Sequence, residues 1–370
     1  MLATSIRNSS IESVKRVPAI VVPASMVAAF LFCLFAILTF LLPPRAAKLG
    51  YFAALSDKHH LLEVAHSPKI IFIGGSNLAF GLDSSLIEAK FHRPVVNMGL
   101  CAPFGLRYLL EEVKDNITPG DTIVLVPEYY ILQDMAGKRI NFTKTSIEVT
   151  NGPEGFVDGS PDLIRAVEVY PRSVLFILRA HLSSPHAAFK LLQTLHRCFI
   201  AKWAAVYSMV MAMLHGLPDP YNQWEVSAQI GTAARYCFNK NGDYFGHFNR
   251  PNVVNSAHWE LFGPMNREAE GLLNCFGKWA SSRGVDVVLI PPPVPPDYFI
   301  PSKSSDGSIS AWTHGQLDVP VLADPRRYVL PTKNFFEPPY HLNISGRNLR
   351  TNMIAADLDH YFSGRSSKGN

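Results

Sequence analysis

The sequence predicts an α/β fold with a mostly parallel sheet, and three observations carry that expectation. Lys69–Ile73, Pro94–Asn97 and Thr122–Pro127 are short apolar runs rich in Val and Ile, the pattern of strands buried on both faces. Helical patterns separate them. Ser84–Phe91 has Asp83, Ser84 or Ser85 available as a cap, and Phe104–Asn116 carries Leu106, Leu109, Leu110 and Val113 on one side. The alternation resumes late in the chain, where Met265–Ser282 leads through Arg283-Gly284 into the apolar run Val285–Ile290. Strands and helices alternating at this density predict a doubly wound sheet.

The chain has 370 residues, 48% of them hydrophobic and 17% charged, which is the composition of a folded protein. Its net charge is +4 and no block of five basic residues occurs, so nucleic acid is not an expected partner. Pro18–Leu42 is 25 residues without a charge, where about 20 suffice to cross a bilayer as a helix. The run is longer than a signal-peptide core, and no small-x-small site precedes Pro43-Pro44. It reads as one N-terminal transmembrane helix, an uncleaved signal anchor with the lipid bilayer as partner. Arg7, Lys15 and Arg16 precede it, against Arg45 and Lys48 after it. That bias predicts the N-terminus inside and the bulk of the chain outside the cytoplasm, which is the periplasm if the cell is Gram-negative.

The expected order is a cytoplasmic N-terminus (1–17), the anchor (18–42), a linker (43–68), a first part of the α/β domain (69–135), an insertion or cap (136–264), a second part (265–362) and a tail (363–370). The insertion breaks the alternation. Asn141–Ser160 is polar, Ser173–Leu214 reads as one or two helices, and Arg235–Pro251 is turn-rich around Asn241-Gly242-Asp243. A mainly helical insertion is therefore expected. Beyond it, Pro291–Pro296 forces an extended loop and Asn343–His360 carries a last helix. Of the five cysteines, Cys33 lies in the anchor, and Cys101, Cys198, Cys237 and Cys275 form no CxxC pair. Disulfides and buried thiols both remain open. No zinc spacing appears, and Gly74-Gly75-Ser76 lacks both GxGxxG and GxxxxGK[ST], so no metal or cofactor is expected.

Three separated blocks carry the chemistry. Ser76 follows a buried strand and two glycines, where the chain turns toward a helix at the mouth of the sheet, a position that exposes a nucleophile. Gly99 ends the second strand and can offer its N–H to an oxyanion unobstructed. His341 stands just before the last helix, with Glu337 four residues upstream and Pro338-Pro339 expected to hold the backbone between them extended. A base histidine needs an acceptor on one ring nitrogen to leave the other free, and Glu337 is the nearest acid.

Together, Gly74-Gly75-Ser76, Asn97-Met98-Gly99 and Tyr340-His341-Leu342-Asn343 with Gly346-Arg347 resemble the SGNH/GDSL hydrolase superfamily. The resemblance is nearest to its membrane-anchored DltD and AlgX/AlgJ-like group, and it covers about residues 69–133 and 283–358. It implies a three-layer α/β/α, flavodoxin-like fold. It also implies Ser76 as nucleophile, His341 as base, and an oxyanion hole from the Ser76 and Gly99 N–H groups; Glu337 is read as the acid, and Asn77 either as a further oxyanion donor or as a polar residue at the helix approach. The implied substrates are an acyl donor and an acylated cell-surface polysaccharide, with a membrane-bound O-acyltransferase as partner. Two departures stand out. The family's acid is an Asp three residues before the His, and the third block normally supplies an oxyanion Asn where this chain has Val126-Pro127-Glu128-Tyr129-Tyr130. Glu128, Asn343 and His247 are candidate pocket residues; Glu128 reads equally as a hydrogen-bonded strand-end acid. His59-His60 with Asp57 read as a polar linker, and Arg326-Arg327 as a surface pair. Two functions stay open, a serine acyltransferase or esterase and a non-catalytic partner that binds polymer or an acyltransferase.

Overall fold

Val and Ile branch at Cβ and pack best on a pleated surface, and their runs form the central sheet. In the computed structural model the described residues are 49–132, 138–142, 147–151, 163–182, 185–193, 195–196, 207, 211, 214–215, 234–248, 265–298, 317–337 and 339–366, all within one compact unit, Pro44–Asn370. The run 18–42, Cys33 and Cys198 lie outside them. Among the described residues no helix is long and apolar enough to cross a membrane.

In chain order, helix α1 (Ala54–Val64) precedes strand β1 (Ile70–Gly74), helices α2 (Ser76–Gly81) and α3 (Ser84–Phe91), and strand β2 (Val95–Asn97). Helix α4 (Leu106–Glu111), β3 (Thr122–Val126) and the single turn α5 (Tyr129–Leu132) follow. Next come β4 (Lys138–Phe142), β5 (Ile147–Asn151), α6 (Leu163–Val169) and α7 (Ser173–His181). The chain closes with α8 (Arg267–Ser281), β6 (Asp286–Leu289), β7 (Phe335–Glu337), β8 (His341–Leu342) and α9 (Ile344–Ser366).

The main sheet has the order β2-β1-β3-β6, with every neighbouring pair parallel. It is buried on both sides. Ile71 and Ile73 of β1, Ile123 and Leu125 of β3, and Val287 and Leu289 of β6 pack into one apolar layer with α1, α4 and α8. Ile70, Phe72, Val124, Val126 and Val288 pack into the other with Ile87 of α3 and Ile354 and Leu358 of α9. Each such side chain contributes about 1.5–3 kcal/mol on burial. From β1 the chain moves to β2 on one side and then to β3 on the other. That reversal places a switch point at the carboxyl ends of β1 and β3, where open α/β sheets bind ligands.

Local chemistry sets the helix ends. Asp83 caps α3 by accepting from Leu86 N–H. Asn266 caps α8 by accepting from Glu268 N–H, with Glu268 and Glu270 in the first turn and Lys278 in the last, complementing the helix dipole.

Four expectations change. Residues 54–64, expected within a linker, are helix α1, because Ala54, Leu55 and Leu62 complete the apolar layer and are almost fully buried. Within that helix His59 is buried and sits 3.3 Å from Glu112, and Asp57 pairs with Arg235. The expected helix Phe104–Asn116 is shorter, flanked by 3-10 turns, because Gly105 adopts φ 87°, a left-handed value that interrupts it. The insertion is not only helical: β4 and β5 form an antiparallel hairpin. The turn-rich segment 234–248 is no peripheral cap. Asn97 N–H donates to Asn241 O and Tyr244 N–H donates to Ala79 O, so it covers the edge of β2 and flanks α2.

Candidate active site

Ser76 opens α2 directly after β1 and is held from both ends. The buried Glu128 carboxylate, just past β3, accepts Gly75 N–H at 3.1 Å and Asn77 N–H at 3.0 Å. Burial raises the Glu128 carboxyl above the usual carboxylate range, against the opposing pull of those hydrogen bonds. On the other side Arg350 of α9, fully buried, donates to Asn77 O at 2.8 Å, Asn77 Oδ1 at 2.7 Å and Gly81 O at 3.4 Å. Burial pushes its guanidinium down to about 10. Asn77 Nδ2 donates to Val126 O at 2.9 Å. The turn that carries Ser76 is thus pinned between a buried acid and a buried cation.

Ser76, His341 and Glu337 come together. His341 Nε2 lies 2.8 Å from Ser76 Oγ, and His341 Nδ1 lies 3.0 Å from Glu337 Oε2. The tautomer that donates Nδ1–H to Glu337 leaves Nε2 to accept the Ser76 hydroxyl proton. The spacing of four follows from a hairpin. β7 and β8 are antiparallel, with Glu337 directly opposite His341 across a turn at residues 339–340. The expected extended Pro338-Pro339 connection is replaced by this turn at Pro339, and Pro338 lies outside the described residues. In cross-strand register, facing side chains are within reach of each other.

The expected oxyanion hole is smaller than the resemblance implied. Asn77 donates its backbone N–H to Glu128 and one side-chain N–H to Val126 O. Gly99 N–H donates to Asn97 Oδ1 at 2.9 Å. Among the described residues Ser76 N–H, in the first turn of α2, makes no backbone hydrogen bond outside the helix. Gly99 must be glycine for packing, since a methyl there would press on Leu78 Cβ and Gly75 O.

The remaining candidates support the site from behind. Asn343 donates to Lys333 O at 2.7 Å and accepts Gly346 N–H at 3.0 Å, capping α9 instead of lining a pocket. His247 is 1% exposed, and its ring centroid lies 5.1 Å from that of Phe80 and 5.0 Å from that of Phe336. Its nitrogens sit beside the backbone of Leu342 and Phe80 without completing a hydrogen bond. Burial first, then the nearby His341, lower its pKa to about 4. Arg327 pairs with Asp357 at 3.0 Å, and Arg326 lies beside Asp324. Among the described residues Cys237 and Cys275 form no disulfide.

Sequence reasoning missed the buried network that seats the second block. Asn97 Nδ2 donates to Leu78 O at 3.0 Å and to Asp243 Oδ1 at 2.9 Å, and Asp243 also accepts Ser84 N–H at 2.8 Å. Lys58 of α1 donates to Asn97 O at 2.7 Å and Gly242 O at 2.5 Å, and burial lowers its ammonium to about 7. The signal available was the turn Asn241-Gly242-Asp243; Lys58 carried none, because a lysine in a helix ordinarily faces water.

No protein-family model matches the chain, and no curated protein matches it in sequence.

Proposed function

We propose that the protein is a serine acyl-transfer enzyme of SGNH type, anchored in a membrane with its domain on the extracytoplasmic side. The observation that carries this reading is the hydrogen-bonded chain Ser76–His341–Glu337, at 2.8 Å and 3.0 Å, on the carboxyl side of β1. In this mechanism Ser76 Oγ attacks the acyl carbonyl carbon while His341 Nε2 takes the hydroxyl proton. Ser76 N–H meets the tetrahedral oxyanion. The intermediate collapses with the proton passing from His341 to the leaving oxygen, giving acyl-Ser76. A second hydroxyl, from water or a sugar, then loses its proton to His341 and takes the acyl group as the Ser76 Oγ–acyl bond breaks, and His341 returns the proton to Ser76 Oγ. The uncharged run 18–42 supports a substrate presented at a membrane surface, and an acylated polysaccharide fits that setting.

The test is covalent labelling of the full chain in detergent with a fluorophosphonate probe. Ser76 takes the label in the wild type, and Ser76→Ala and His341→Ala do not. Labelling that is unchanged in Ser76→Ala removes Ser76 as nucleophile.

A second reading has its own observation. With Gly75 and Asn77 N–H held by Glu128 and Gly99 N–H held by Asn97, one backbone donor serves the oxyanion. Each missing donor costs about 100- to 1000-fold in rate. A domain that binds polymer, or that partners a membrane-bound O-acyltransferase without turnover, is compatible with that. It predicts polymer binding with no label at Ser76 in folded protein.

A further inference from the structure

In serine triads the acid that orients the histidine is ordinarily buried, which gives its hold strength. Glu337 is 48% exposed, while the His341 side chain is 24% exposed. An ion pair open to water on one side orients weakly. Two phenyl rings pack side by side against the imidazole. Phe80 lies 4.5 Å from it, centroid to centroid, tilted by 35°. Phe336 stacks on it at 5.8 Å and 17°. The two phenyl rings also touch each other, at 5.6 Å.

The placement follows from the elements that carry the reacting groups. Phe80 is four residues after Ser76 on α2, so both lie on one side of that helix. Phe336 precedes Glu337 in β7 and points to the opposite face of the strand; it is 2% exposed where Glu337 is open. His247 then backs both rings, and Tyr244 stacks on His247 at 5.8 Å. His341 is therefore seated against an aromatic cluster fixed to the helix that carries Ser76.

We infer that Phe80 and Phe336 are positioning residues: they hold His341 on Ser76 and stabilise the imidazolium that forms as Ser76 attacks, with Glu337 in the lesser role. This rests on the acyl-transfer reading of the same site. A phenyl face attracts a cation, and the effect grows as water is excluded. The neutral Ser–His pair gains little from it, whereas the transition state, with its developing imidazolium, gains more. Loss of a ring should therefore appear in kcat with KM unchanged.

The experiment compares Phe80→Leu, Phe80→Tyr and Glu337→Gln in the full chain, by turnover of a small acyl ester and by the rate of fluorophosphonate labelling. Phe80→Leu, which keeps bulk and removes the π face, is expected to lower kcat about 3- to 30-fold with KM unchanged. Phe80→Tyr, which keeps the face, restores it. Glu337→Gln costs about tenfold or less, far below the roughly 10⁴-fold loss seen when the buried acid of a protease triad is replaced. The inference is overturned if Phe80→Leu matches the wild type, if Phe80→Tyr fails to rescue, or if Glu337→Gln falls by about 1000-fold or more. Should the wild type take no label at all, the acyl-transfer reading fails by itself. The position of His341 in crystals of the same variants then decides the clamp. His341 staying on Ser76 in Glu337→Gln and leaving it in Phe80→Leu supports the inference, and any other pattern overturns it.

Discussion

Glu128 does at one position what a chain of secondary contacts does elsewhere: it fixes the direction of Ser76. Its two oxygens take the N–H groups on either side of the nucleophile, Gly75 and Asn77. Glu128→Gln keeps the shape but offers one acceptor oxygen, so a buried N–H is left facing an amide. The expected cost is about 1–3 kcal/mol in urea unfolding, with slower labelling of Ser76; a variant as stable and as quick as the wild type would contradict this role. Ser76 and His341 were legible in the sequence because each sits beside a strong local signal, a strand ending in Gly-Gly and a Pro-marked segment before a helix. Arg350 was not. A buried guanidinium looks, in sequence, like any arginine on an amphipathic helix, and only the carbonyls of Asn77 and Gly81 give it a reason to be inside.

Elements decide which of those residues meet. Glu337 at four residues from His341 looked awkward as a linear spacing, and becomes natural once β7 and β8 pair with the two residues opposed. Strands of three and two residues are too short to leave a periodic trace, which is why the hairpin was not foreseen. The strands β1, β2, β3 and β6 were legible for the opposite reason, since burial on both faces selects continuous Val and Ile. The close packing of α2 against the end of β2 depends on Gly99. Gly99→Ala should cost about 1–3 kcal/mol by overpacking against Leu78 and Gly75, read as a lowered denaturation midpoint; no change would mean that the contact yields freely. The segment 234–248 adds a pH dependence through His247. Its folded pKa of about 4 lies below the ordinary 6.5, so the unfolded chain binds more protons between those values. Stability from this group is complete above pH 6.5 and is lost as pH falls toward 4, by about 2 kcal/mol at pH 5. Chemical unfolding at pH 7.5 and pH 5 should show this loss in the wild type and not in His247→Phe, which keeps the aromatic contacts. Equal pH slopes in the two proteins would remove His247 as the source.

At the scale of the whole molecule, a parallel sheet with a switch point between β1 and β3 gathers residues from positions 76, 128, 341 and 350 onto one edge. Sequence carried the α/β class and singled out Ser76 and His341, which the structure brings into contact. It could not carry the depth of α1 and of the segment 234–248 in the core, because both read as polar stretches whose buried groups Lys58 and Asp243 find partners far along the chain. The central claim is that Ser76 is an activated nucleophile despite a sparse oxyanion hole. Mass spectrometry of the full chain after exposure to a fluorophosphonate tests it most directly. One adduct is expected, on the peptide containing Ser76, absent in both Ser76→Ala and His341→Ala and formed more slowly than in an enzyme with two or three oxyanion donors. An adduct on another serine, or none at Ser76 in protein that remains folded, would contradict it.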